Sequence, residues 1–190
     1  NLNFQANGTV NSKGDITANI TGNTGTLNMN GSTQAITGNI GNIDILNKNS
    51  GTTTVNGNIN STNTNINNSS TLNLADNKNI DSIIKGNTGT LNFLGSSNIN
   101  KEIESLKDLN VNANGSNLTF NDKVNSTNIS SIANGSSTFK DITTTTNLNV
   151  NNGTMSFEEN VNATNTTINS GTLNLDKNLT GTNINFTDNG

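Results

Sequence analysis

The residue types that usually carry acid–base and nucleophilic chemistry are largely missing from this 190-residue chain. It contains no His and no Cys, and all nine of its cationic residues are Lys. Without His or Cys it lacks the common proton-transfer group at neutral pH and any thiolate nucleophile. The nitrogen and sulfur ligands of a structural zinc site are absent too. Catalysis would have to depend on Ser, Lys, Asp or Glu.

Two Ser-x-x-Lys pairs match the spacing of a serine nucleophile and its lysine. They are Ser82 with Lys85, and Ser137 with Lys140. That chemistry places the pair at the start of a helix inside a pocket, with further partner motifs that this sequence lacks. Because Ser is frequent in the chain, chance explains both matches. We expect neither pair to be catalytic.

The carboxylates also form no catalytic pattern. Glu158 and Glu159 are adjacent, and neighbours on a strand point to opposite sides, so they cannot form the facing pair of a glycosidase. The aspartates stand mostly alone beside turns: Asp44, Asp76, Asp81, Asp108, Asp122, Asp141, Asp176 and Asp188. Calcium at a turn with carbonyl and Asp oxygens remains open. We expect a protein without cofactor that is not an enzyme, with a polysaccharide-acting β-helix enzyme as the most distant alternative.

Composition and charge exclude several classes of partner. The net charge is −4, the nine Lys are scattered, and aromatic residues make up only 3% of the chain. A nucleic-acid surface needs clustered positive charge or stacking rings, so nucleic acid is not an expected partner. No apolar run is long enough to span a membrane. The first residues have no Met, basic region or apolar region, which predicts an interior piece of a longer protein.

The large apolar residues alternate with Asn, Thr or Ser in short runs. Alternation with a period of two is typical of a strand with one buried face, and Asn and Thr are poor helix formers. This regular placement argues against disorder, which the polar composition would otherwise suggest. The clearest runs are residues 72–74, 91–93, 109–111, 148–150, 173–175 and 184–186.

These runs belong to a repeat. The phrase Gly-Thr-Leu-Asn-apolar occurs at 25–29, 89–93 and 171–175, and degenerate copies lie between at intervals mostly near 18–20 residues. Three short strands per unit of about 20 residues predict an all-β fold, a right-handed parallel β-helix with roughly nine or ten coils. Stacked Asn side chains could form ladders between coils. Antiparallel hairpins are the alternative topology. Residues 1–190 would be one solenoid segment without capping repeats at either end.

Residues 94–108 form a lengthened coil or insertion in this repeat. Charge is concentrated there, and Ile103, Leu106 and Leu109 recur at helix-like spacing. We predict a short helix or bulge that projects from the rod, where solenoids often carry recognition. The alternative is an insertion packed over the coil surface. The candidate recognition residues are Lys101, Glu102, Glu104, Lys107 and Asp108.

Two threonine clusters, 52–54 and 143–146, raise the possibility of an ice-binding array. Such an array requires Thr-x-Thr at the same place on every coil. The intervals between the clusters look irregular, so ordinary outward-facing strand threonines are the better interpretation.

The repeat resembles a known family. Residues 86–93 (Gly-Asn-Thr-Gly-Thr-Leu-Asn-Phe), followed by Ile99 and then 106–111, resemble the passenger repeats of Gram-negative autotransporter adhesins. They look most like the rickettsial surface-cell-antigen type. The resemblance implies a β-helical passenger on the bacterial cell surface or secreted, exported through an outer-membrane β-barrel outside this sequence. It also implies host-cell adhesion or coat formation, and the high Asn content departs from the better-known members.

Sequence and resemblance together predict a structural and adhesive protein. A β-helical shaft would contact a host-cell receptor or glycan through many weak contacts along one face. The alternative is a subunit of a surface layer or filament that assembles with copies of itself.

Overall fold

The computed structural model describes residues 1–111 and 113–187. They form an all-β solenoid of about 10 turns, with equivalent positions about 19 residues apart and no helix among the described residues. Every strand pairing is parallel, so the predicted parallel solenoid is confirmed and the hairpin alternative is wrong. The strands are β1 (Leu2–Phe4), β2 (Thr9–Ser12), β3 (Ile20–Gly22), β4 (Thr26–Met29), β5 (Thr33–Ile36), β6 (Ile40–Lys48), β7 (Thr52–Val55), β8 (Ile59–Ile66), β9 (Thr71–Leu74), β10 (Ile80–Phe93), β11 (Ser97–Ile99), β12 (Ile103–Val111), β13 (Asn117–Phe120), β14 (Val124–Ser131), β15 (Ser136–Phe139), β16 (Thr143–Val150), β17 (Thr154–Phe157), β18 (Val161–Ile168), β19 (Thr172–Leu175), β20 (Leu179–Thr180) and β21 (Asn183–Phe186).

The strands stack into three ladders, one on each side of the solenoid. Ladder 1 runs through Leu2, Ile20, Ile40, Ile59, Ile80, Ile99, Phe120, Phe139, Phe157 and Leu175. Ladder 2 runs through Val10, Leu27, Leu46, Thr64, Ile84, Ile103, Val124, Thr143, Val161 and Leu179. Ladder 3 runs through Gln34, Thr53, Leu72, Leu91, Leu109, Ile129, Leu148, Thr166 and Ile184.

The core is a narrow column along the axis, filled by one or two inward side chains per ladder and coil. Phe120, Phe139 and Phe157 stack with ring centroids 4.5 Å apart, and Phe93 meets the end of this stack edge to face at 5.7 Å. Because each coil buries only a few side chains, 28% hydrophobic residues are enough to fill the interior.

Strand β10 marks a change in how the chain turns its corners. Before it, β6 and β8 run continuously from ladder 1 into ladder 2. After it, β12, β14, β16 and β18 run continuously from ladder 2 into ladder 3. β10 itself contributes to all three ladders over 14 residues. Before β10, strands therefore continue through the corner between ladders 1 and 2. After β10, they continue through the corner between ladders 2 and 3.

Asparagine side chains join the coils on the outer surface. Asn147 donates to Asn128 at 2.7 Å and accepts from Asn165 at 2.9 Å, and Asn183 continues the row by donating to Asn165 at 2.8 Å. A second row runs through Asn11, Asn28, Asn47 and Asn65. The prediction of Asn ladders is confirmed. They account for part of the high Asn content, because each amide both donates and accepts along the axis.

The charged segment does not form the helix that its spacing predicted, although its strand carries a register shift between Ile103 and Asp108. Residues 103–111 are strand β12, which pairs with both β10 and β14. Ile103, Leu106 and Leu109 are all buried. They recur every three residues because two successive residues face outward where the strand bends at the corner. The coil from Ile99 to its partner Phe120 spans 21 residues, while the coil from Phe139 to Phe157 spans 18.

Candidate functional site

The structure separates both Ser-x-x-Lys pairs across the sheet. Ser82 is buried, and its hydroxyl lies 2.9 Å from the hydroxyls of Ser61 and Thr64, while Lys85 lies outside and pairs with a glutamate of the next coil. Ser137 is likewise buried and Lys140 exposed. Strand alternation places the two ends of an i, i+3 pair on opposite faces. Neither serine has its lysine within reach.

The carboxylates of the turns interact with backbone. Asp76 accepts the Ser96 amide at 2.7 Å, and Asp15 accepts the Ala35 amide at 2.8 Å. Among the described residues, no three His, Cys, Asp or Glu side chains group closely enough to hold a metal ion. Asp188 lies outside the described residues. The calcium hypothesis thus receives no supporting cluster from this part of the chain.

The five candidate recognition residues lie in a charged belt around the middle of the solenoid. Three ion pairs occur there: Lys85 with Glu104 at 3.1 Å, Lys101 with Asp81 at 3.4 Å, and Lys107 with Asp108 at 3.9 Å. Exposed pairs of this kind contribute about 0–1 kcal/mol each. The charged belt consists of Asp81, Lys85, Lys101, Glu102, Glu104, Lys107 and Asp108.

Two of these pairs join neighbouring coils, and Asp108 also begins an amide row. Its carboxylate accepts the Asn128 amide at 2.7 Å and the Thr90 hydroxyl at 3.4 Å. These contacts give the charges a structural role. The assignment of Lys101, Glu102, Glu104, Lys107 and Asp108 to recognition stays a prediction.

A shallow groove runs along the axis beyond the charged belt. It follows the corner where β14, β16 and β18 bend from ladder 2 into ladder 3, and it continues to β20 and the segment after it. At each corner one residue points inward, as Ser126, Thr145 and Ala163 do, and the residues on either side point outward. We call this the axial groove. Asn87 and Ser105 line its end at the belt. Its eight outward residues on the coils beyond the belt are Asn125, Thr127, Thr144, Thr146, Asn162, Thr164, Thr180 and Thr182.

The threonine cluster at 143–146 therefore differs from its interpretation as ordinary outward residues. Thr143 and Thr145 are buried, while Thr144 and Thr146 are exposed in the groove. Outward positions recur regularly at Asn125, Thr144 and Asn162, as strand pairing shows. Thr-x-Thr does not recur on every coil, however, because Thr144 pairs with Asn125 and Asn162, and the cluster at 52–54 lies in ladder 3.

The sequence does hold a signal for this groove. An Asn or Thr stands two residues before a Thr at 125–127, 144–146, 162–164 and 180–182. The same pattern also occurs at 60–62, where a second concave surface lies on the N-terminal side of the charged belt. In so polar a chain, the pattern is hard to distinguish from chance without the strand register.

One lysine lies inside the solenoid. Lys48 is 1% exposed, and its ammonium donates to the backbone oxygens of Gly31 at 3.1 Å and Met29 at 3.5 Å, and to Gln34 Oε1 at 3.4 Å. Burial lowers the pKa of the Lys48 amine, because desolvation disfavours the charged form. We expected the lysines to lie outside, but the alternation Leu46-Asn47-Lys48 places Lys48 on the same face as the buried Leu46.

Comparisons of the chain with protein-family models, curated proteins and solved structures give no match. The resemblance to autotransporter passengers therefore remains a prediction. Within the described residues there is no long apolar helix that could cross a membrane.

Proposed function

We propose that this chain is a non-catalytic structural and adhesive shaft, displayed on a bacterial cell surface or secreted, that contacts host cells or other surfaces along its length. The observation that carries the proposal is the repeated outer surface. Equivalent polar side chains recur on successive coils in one register, which suits many weak contacts in a row.

The hydrogen bonds between coils support a mechanical role. Backbone hydrogen bonds connect each coil to the next, and amide rows such as Asn128–Asn147–Asn165 reinforce them on the outside. At about 4.8 Å per coil, ten coils give a rod roughly 45–50 Å long. A rod of this construction holds a contact surface at a fixed distance and orientation.

The resemblance to passenger repeats supports the proposed location. Export of a passenger through the outer membrane would place this segment outside the cell, attached to a barrel encoded elsewhere in a longer chain. The absence of Cys from the sequence is compatible with export through the periplasm, where disulfides form.

Self-assembly into a surface layer or filament is the second candidate. The observation in its favour is the regular outer surface, because equivalent side chains on successive coils offer a second copy the same contacts along the rod.

Adhesion can be tested with beads that carry the chain. Because the sequence has no Cys, a single Cys added beyond one terminus gives uniform attachment. Beads with the folded chain should adhere to host cells more strongly than beads with equal amounts of heat-unfolded chain or of an inert protein. Equal adhesion of all three kinds of bead, on several cell types and with attachment at either terminus, would overturn the proposal.

A further inference from the structure

We propose that the axial groove binds an extended, uncharged glycan whose chain runs along the rod. This inference rests on the proposed adhesive function and names the chemical class of the partner. The chemistry of the lining, the free state of its polar groups and their axial spacing lead to it.

The outward side chains of the groove carry hydroxyls and carboxamides as their only polar groups. From Asn125 to Thr182, the eight outward residues of the axial groove are threonines and asparagines. These groups both donate and accept hydrogen bonds, as sugar hydroxyls do. A glycan can therefore exchange its hydrogen bonds with water for equivalent ones in the groove.

The polar side chains of the groove are unpaired, unlike those beside it. Asn128, Asn147 and Asn165 bond to one another or to adjacent coils. Asn125 and Asn162 are only three residues before members of this row, yet their amides have no protein partner among the described residues, and the eight groove side chains are all exposed. The chain thus pairs its amides along ladder 3 and leaves those of the groove free for a ligand.

The groove repeats at a distance suited to a polymer. Each coil adds one pair of outward residues, such as Thr144 with Thr146, and coils are about 4.8 Å apart. This rise is close to the length of one sugar unit in an extended glycan, so successive sugars would meet successive pairs. Affinity would grow with chain length, because each added sugar reaches another coil.

The distribution of charge on the protein favours an uncharged glycan. The eight outward residues of the groove are uncharged, and the charged side chains that border it beside Asn125 and Thr144 are Glu102, Glu104 and Lys123. The sequence has no Arg to clamp a sugar carboxylate or sulfate, and the protein's net charge of −4 opposes an anionic polymer. Sulfated and uronic-acid glycans are therefore disfavoured.

The test titrates the folded chain with neutral hexasaccharides and follows saturation-transfer NMR. The panel is cellohexaose, maltohexaose, chitohexaose and mannohexaose, with a hyaluronan hexasaccharide as the anionic comparison. We expect at least one neutral hexasaccharide to bind in the millimolar range or better, and more tightly than its disaccharide. Failure of all four neutral sugars at millimolar concentration, or stronger binding of hyaluronan, would overturn the proposal.

A matched pair of double variants locates the binding. Thr144→Ala with Thr146→Ala removes two groove hydroxyls and should weaken binding about tenfold or more, since each lost hydrogen bond is worth about 0.5–1.5 kcal/mol. Thr119→Ala with Thr138→Ala removes two outward hydroxyls from ladder 1 and should leave affinity unchanged. Equal effects of both variants, or no effect of the groove variant, would refute the groove as the site.

The bead assay separates this inference from the proposed function. If the groove variant adheres to cells as the wild type does while the wild type binds no sugar, the glycan proposal fails and the adhesive shaft stands. If neither protein adheres to any surface but both fold, the proposed function itself fails.

Discussion

Replacing the buried lysine by methionine should stabilise the solenoid. Lys48 stacks in register between Met29 and Ile66 in ladder 2, so a methionine there would extend a column of apolar side chains. Its flexible, unbranched side chain has nearly the shape of lysine without the charge. The Lys48→Met variant therefore tests whether the buried ammonium lowers the stability of the solenoid.

The size of the effect follows from the contacts of the amine. Three carbonyl oxygens surround the Lys48 ammonium at 3.1–3.5 Å, but no carboxylate of the described residues does, so its desolvation is only partly offset. Removing a buried ionic group in favour of an apolar one is neutral to stabilising by about 1–4 kcal/mol. Gln34 keeps its bond from the Gly31 amide at 2.7 Å, while the Gly31 carbonyl loses a donor. We expect a net gain of about 1–2 kcal/mol.

The stability of the wild type should also rise with pH on the alkaline side, up to the ordinary pKa of lysine. The Lys48 pKa is lowered in the folded chain, so between the folded value and about 10.4 the unfolded chain binds more protons. Stability therefore increases through this interval as the folded amine loses its proton. The Lys48→Met variant lacks this contribution, and its stability should rise less over the same range.

The assay is urea unfolding followed by far-UV circular dichroism at several pH values, with mass spectrometry to exclude deamidation of Asn at alkaline pH. Lys85→Met is the control, because Lys85 has a side chain 40% exposed in a surface ion pair and should change stability by less than about 1 kcal/mol. A Lys48→Met variant that is destabilised, with the same pH dependence as wild type, would show that the lysine contributes favourable interactions and would refute this reasoning.

Three further predictions concern hydroxyls, amides and a turn. Thr166 has a buried hydroxyl without a partner in the described chain, so Thr166→Val should stabilise the fold by up to about 1 kcal/mol. Thr64→Val breaks a buried hydroxyl cluster and should destabilise the fold by about 1–2 kcal/mol. Urea unfolding that ranks the two variants the other way would contradict this. Asn147→Ala removes two side-chain hydrogen bonds between coils and should lower the free energy of unfolding by about 1–3 kcal/mol. Asn125→Ala in the groove should leave stability nearly unchanged. Equal losses in thermal unfolding would argue against a stabilising amide row. Gly153 has a φ of 68°, and a Cβ there would overlap a carbonyl of the preceding coil. Gly153→Ala should therefore lower the melting temperature by several degrees. An unchanged melting temperature would show that the turn relaxes freely.

Much of the fold is predictable from the sequence because inward and outward residues differ in type. The run Leu72-Asn73-Leu74 alternates apolar and polar residues, and the structure places it in β9 with both leucines buried. Its Asn73 joins an outer amide row by accepting from Asn92 at 2.9 Å. Alternation, repeat length and Asn stacking together lead to a parallel solenoid.

The errors arise where the chain bends. Ile103, Leu106 and Leu109 suggested a helix because their spacing of three is shared by a helix face and by a strand that turns a corner. Thr145 resembles its exposed neighbours in type, yet it is buried because a corner leaves room for a small polar side chain. The axial groove depends on these corners, so it could not be located without the register between coils.

Small-angle X-ray scattering across a concentration series tests the central claim most directly, namely that each chain is a separate rod-shaped solenoid. We expect an asymmetric distance distribution with a maximum dimension of about 50 Å that does not change with concentration, alongside a β-rich circular dichroism spectrum. Rods that lengthen as concentration rises would instead support self-assembly. A radius of gyration near the value of about 45 Å for an unfolded chain of this length would contradict the solenoid itself.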